Sequence, residues 1–94
     1  MSLAATEVSA FLEGIENHAR AGNFDQVSLQ TSILLEKMES AIHHGANESF
    51  EFRNALPPVR ALIPDSTRSD SASVIEHVHQ ARVALGIAAP NAGL

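Results

Sequence analysis

The run Ala21-Gly22-Asn23-Phe24-Asp25-Gln26 constrains the fold more than any other stretch of this chain. It ends one amphipathic segment and begins the next within a few residues. Gly22 suits the left-handed conformation that closes a helix, because it has no Cβ to clash. Asn23 is a preferred N-cap, and Gln26 follows three positions later, an Asn variant of the capping box. Asp25 in the first turn complements the positive end of the helix dipole. A chain that reverses in this way folds as an antiparallel helix hairpin.

The segments on either side carry the matching periodicity. Val8, Phe11, Leu12, Ile15 and Ala19 share one helical face and predict a helix over residues 4–21. Gly14 inside it costs about 1 kcal/mol relative to Ala and is expected to mark the close approach of a neighbouring helix. In the second segment Phe24, Val27, Thr31, Leu34, Met38 and Ala41 step by three and four without a break. Leu35 and Ile42 widen this seam, whereas Leu29 and Ile33 lie off it. A helix apolar over more than one stripe packs on more than one neighbour or offers a surface to a partner. His43 and His44 fall in its last turn, and Gly45 ends it.

Beyond Gly45 the pattern weakens. Asn47 or Ser49 could cap a short helix with Phe50, Phe52, Ala55 and Leu56, which Pro57 and Pro58 are expected to interrupt. Val59 to Ile63 would add one turn before Pro64 stops it. Residues 64–73, rich in Ser and Asp, read as a surface loop. Ser73-Val74-Ile75-Glu76 matches a Ser-x-x-Glu capping box and opens a last helix with Val74, Val78, Ala81 and Leu85 on its face. Gly86 closes that helix, and a loose tail is expected from about Ile87. The fold class is therefore all-α: a single domain over residues 1–94, an antiparallel bundle of three main helices plus a short, Pro-broken helical segment.

Composition excludes several function classes. The net charge of −5, with Lys37 the only lysine, disfavours nucleic acid, whose phosphates need a cationic stripe. The absence of Cys removes disulfides, thiolate zinc sites and a cysteine nucleophile. No apolar stretch approaches the roughly 20 residues of a membrane-spanning helix, and no signal peptide is seen at the start. A cytoplasmic protein is expected.

The polar residues do not converge on a reaction. Adjacent His43 and His44 diverge on a helix, as do His77 and His79, and zinc ligands on one helix favour spacings of three or four. His18 lies near the apolar face of the first helix. Glu36 with Glu39, and Glu76 with His79, have the spacing of carboxylate-bridged metal bundles, but the Glu-x-x-His pair occurs once where two are needed. No nucleophile elbow or phosphate loop is present. No catalytic residues, metal ligands or cofactor are assigned.

The turn Ala21 to Val27, followed by a long helix carrying Leu34-Leu35-Glu36-Lys37-Met38, resembles the small flagellar export chaperones. The resemblance covers residues 8–42 and implies a non-catalytic protein that binds the terminal helix of a secreted subunit. The same turn also resembles a single tetratricopeptide-type unit, although that architecture repeats its turn and this chain shows it once. The expected function is a non-enzymatic protein-binding domain that holds a partner helix on an apolar groove. Leu29, Ile33, Leu35, Ile42, Ile75 and Val78 are the expected partner-binding residues. A small metal- or ligand-binding domain using His and Glu is the first alternative, and a structural homodimer the second.

Overall fold

A computed structural model describes residues 3–46 and 48–86. They form four helices: α1 Ala5–Arg20, α2 Phe24–His43, α3 Ser49–Thr67 and α4 Ser71–Ala84, with no strand among the described residues. Each helix packs on the next in sequence, and α4 returns to α1, which closes the ring. The expected tail from Ile87 lies outside the described residues, as does Asn47.

The hairpin forms as its sequence requires. Gly22 takes φ +78°, donates to the Ala19 carbonyl at 3.1 Å, and is followed by Asn23 N–H donating to His18 O at 2.8 Å. These two bonds are a Schellman closure. Asn23 occupies the N-cap position of α2, but its side chain makes no capping bond. The same closure recurs at Gly45, φ +72°, with Ala46 N–H donating to Ala41 O at 3.0 Å.

The third helix departs most from expectation. Pro57, Pro58 and Pro64 lie inside one continuous helix rather than breaking it. The correction has a geometric cause. Phe52, Ala55, Val59, Leu62 and Ser66 step by three and four straight across the prolines, and all are buried. Pro57 and Pro64 sit on the opposite, exposed stripe with Arg53 and Arg60. The carbonyls that lose a partner, those of Arg53, Asn54 and Arg60, belong to exposed residues where water can substitute. The described residues thus form four helices, the third of them continuous through its prolines.

The expected loop over residues 64–73 is mostly helix. Only Arg68, Ser69 and Asp70 separate α3 from α4. Ser69 supplies the left-handed residue, φ +54°, with Asp70 N–H donating to Asp65 O at 3.0 Å. The cap of α4 is also different from the expected box. Asp70 is the N-cap, accepting from Ser73 N–H at 3.1 Å and from Ser73 Oγ at 2.7 Å. Glu76, assigned to that box from sequence, instead accepts from Gln80 Nε2 at 3.2 Å.

A contact from outside its own turn holds the start of α1. Glu48, ahead of α3, accepts from Ala5 N–H at 3.2 Å, while Glu7 accepts from Ala4 N–H at 3.3 Å. Arg82 of α4 reaches Ser9 Oγ at 3.5 Å. The enclosed core combines Val8, Leu12 and Ile15 with Val27, Leu34 and Met38, and with Phe52, Val59 and Leu62 of α3 and Val74 and Val78 of α4. Each large side chain withdrawn from water contributes about 1.5–3 kcal/mol.

Two expected outcomes follow from the α3–α4 turn. Ser69→Gly removes the Cβ from a left-handed position and should raise stability by about 0.5–1 kcal/mol in urea melts. Asp70 is held below its ordinary value, first by the Ser73 hydroxyl and then by the Ser73 N–H. A carboxylate whose pKa is lower in the folded state stabilises fully above its unfolded value, near 3.8. That contribution is lost as pH falls through the lowered folded value. The stability gap between wild type and Asp70→Asn should therefore narrow as the pH of the melts is taken below 3.8.

Candidate docking face between α1 and α2

The buried stripes of α1 and α2 point inward, and their flanks meet along an outer groove. Near the hairpin turn, Ala10, Phe11, Gly14 and His18 of α1 and Gln30 of α2 line an open trough of about 370 Å³. Gly14 is the low point of its wall. A Cβ built there would meet nothing within 4 Å, so the expected close approach of a helix at Gly14 does not occur among the described residues. A separate open volume lies toward the other end of the hairpin. It measures about 690 Å³ and is lined by Leu3, Glu7, Glu36, Lys37, Ser40, Ala41, His44 and Ala46. His44 has its ring Nδ1 2.8 Å from the Ser40 carbonyl, which favours the tautomer with Nδ1 protonated and leaves Nε2 outward.

Leu29 and Ile33 lie one turn apart on α2, before and after Gln30 in the sequence, and neither lines the trough. They are 50% and 37% exposed, high values for large aliphatic residues. Phe50 at 73% and Val83 at 53% are also exposed, but they lie on α3 and α4. The α1–α2 hairpin thus carries both exposed aliphatics and an open trough.

The residues expected to bind a partner are divided by the structure. Leu29 and Ile33 are outward. Leu35 and Ile42 are half-buried and pack against the core, and Ile75 is half-buried on α4. Val78 is fully buried and is a core residue. α3 packs on both α2 and α4, the two helices that carry these residues. Phe52 is buried in the same core, whereas Phe50 is not. Ala10, Phe11, Gly14 and Gln30 were missed as surface-formers. The available signal was Ala10 and Gly14, small residues one turn apart beside Phe11.

The histidines and carboxylates are dispersed. Among the described residues no three of them come close enough to hold a metal ion. Glu39 pairs with Arg60 of α3 at 3.0 Å, which takes it away from Glu36. His43 and His44 meet edge to face, their ring centres 5.3 Å apart, and both are exposed.

Among the described residues one ionisable side chain, that of Asp65, is buried as a whole. The Asp65 side chain is 1% exposed and accepts from Arg68 Nη2 at 2.8 Å, with His77 Nδ1 at 2.5 Å. A buried carboxylate is tolerated only when paired. Here the pairs join the end of α3 to α4 across the tight Ser69 turn. The sequence spacing of Asp65 and His77 carries no local signature, so this tie was not legible. Its role is to fix the α3–α4 corner.

The chain matches no protein-family model, and no curated protein or solved structure matches it. Its site is defined by geometry alone.

The division between core and face has a direct test. Leu29→Ser and Ile33→Ser should each change stability by no more than about 0.5–1 kcal/mol, because those side chains are largely in water already. Val78→Ala should cost about 2–3 kcal/mol through a lost contact and a cavity. Denaturant midpoints of the three variants, at unchanged slope, measure this contrast.

Proposed function

We propose that the chain is a non-enzymatic, cytoplasmic protein-binding domain, an export-chaperone-like adaptor that seats a partner helix on its α1–α2 face. One observation carries this reading: Leu29 and Ile33 are exposed on α2, before and after Gln30, which lines the open trough over Gly14. A helix with apolar anchors three or four residues apart fits such a surface, as helix-in-groove recognition does elsewhere. Burial of Leu29 and Ile33 by the partner would supply affinity. The polar rim, with Glu7, Glu36 and Lys37, would set orientation more than strength. The resemblance of Ala21 to Val27 to the export chaperones agrees with this reading. Among the described residues the fully buried carboxylate, Asp65, is occupied in joining α3 to α4, which favours binding over chemistry.

A photoreactive amino acid at Ile33, compared with one at exposed Arg53, tests the assignment. Irradiation should give a discrete protein adduct from position 33 alone, and Leu29→Glu should suppress it while circular dichroism stays helical. Equal labelling from both positions, or none from position 33, would refute it.

A further inference from the structure

We propose that His77 is a phosphoryl-acceptor site: its Nε2 takes a phosphoryl group from a donor of high transfer potential, an acyl phosphate or a phosphoramidate, and Asp65 positions the ring for that step. The site lies at the α3–α4 corner and is independent of the α1–α2 docking reading. His77 is modified there and catalyses nothing.

An ionised carboxylate only accepts, so the His77 Nδ1 that meets buried Asp65 at 2.5 Å is the nitrogen that carries the ring proton. That bond sets the tautomer and leaves the lone pair on Nε2. Among the described residues Nε2 has no hydrogen-bond partner, yet it is not a buried orphan, and the side chain is 28% exposed: the atom meets water. No other histidine has this arrangement among the described residues. His44 rests its Nδ1 on the neutral Ser40 carbonyl, and His18, His43 and His79 pair with no carboxylate. Positive charge grows on an imidazole as its Nε2 forms a bond. The carboxylate behind Nδ1 offsets that charge, as the buried aspartate of a catalytic triad does for its histidine.

The surroundings decide what this nitrogen does. A metal needs further donors, and no three His, Asp or Glu side chains gather among the described residues. A general base needs a seat for its substrate, but neither of the two open volumes described above is lined by His77 or Asp65. An oriented nucleophile on a helix flank, outside any such volume, suits an acceptor presented to the active site of a donor protein. Arg68 selects the group. It is bonded to the same carboxylate at 2.8 Å and is largely exposed, so a phosphoryl dianion on Nε2 has a guanidinium beside it. In the step the Nε2 lone pair forms the N–P bond. The P–O or P–N bond of the donor breaks, and its electron pair leaves with the donor. The ring proton stays on Nδ1 against Asp65.

Potassium phosphoramidate, which phosphorylates imidazoles without an enzyme, tests the proposal on the full chain. The N–P bond of the reagent breaks and ammonia leaves. Mass spectrometry at alkaline pH, where the new N–P bond survives, maps the label over all five histidines. His77 should be labelled first, and 15N–31P couplings of its ring should place the phosphorus on Nε2. Accessibility alone favours exposed His43, His44 and His79, and labelling in that order overturns the proposal. So does phosphorus on Nδ1 of His77. Asp65→Asn should slow labelling at position 77 about tenfold or more, while His44, which has no carboxylate behind it, keeps its rate. A folded Asp65→Asn that slows both positions equally, or neither, also overturns it. His77→Gln should remove the fastest-labelled site and stay helical by circular dichroism. Should Asp65→Asn fail to fold, the wild-type map decides by itself, because it needs no variant.

Discussion

The fold depends on one contest within α3, between its buried stripe and its prolines. Each proline inside a helix costs up to about 3 kcal/mol, from a lost hydrogen bond and a clash with the preceding turn. Phe52, Leu56, Val59 and Leu62 each return about 1.5–3 kcal/mol on leaving water. These terms are of the same size, so placement decides the outcome. Pro57 and Pro64 share the wet stripe with Arg53 and Arg60, where an unpaired carbonyl still finds water. On the dry stripe the same prolines would have stranded acceptors in the core. Because α3 stays whole, α2 and α4 each have a full neighbour to pack on.

Much of the rest follows from that continuity. In the sequence Leu35, Ile42, Ile75 and Val78 are candidates for a partner surface; with α3 whole, Val78 is core and the other three are half-buried. Leu35 and Ile42 pack against the core from its flank. The exposed apolar surface of α2 is then reduced to Leu29 and Ile33. What remains is small, and it shares α2 with Gln30 of the trough.

The hairpin was legible because its signals are local and agree: Gly22 needs a left-handed site, and Asn23 starts a long periodic stripe. The stripes of α1, α2 and α4 were legible for the same reason. The path through α3 is not legible, because the sequence does not show which side of a helix its prolines face. The α4 cap sits one turn earlier than the Ser73 box suggests, at Asp70. Ser73 in fact donates to Asp70. At the site, Leu29 and Ile33 stood out as off-seam residues, but the trough over Gly14 depends on how far apart two helix flanks lie. Asp65 with His77, and Glu48 with the Ala5 N–H, are pairings between separate elements that no sequence period encodes.

The ring of helices also has a topological consequence. The beginning of α1 and the end of α4 lie side by side, where Arg82 reaches Ser9. Every other junction is a turn of a few residues. The order in which the four helices occur along the chain is therefore not what holds them together. A cyclic rearrangement that joined α4 to α1 and opened the turn at Gly22 would present the same buried stripes to one another. It would cut the one turn that stands out in the sequence and leave the core unchanged, separating what starts this fold from what sustains it.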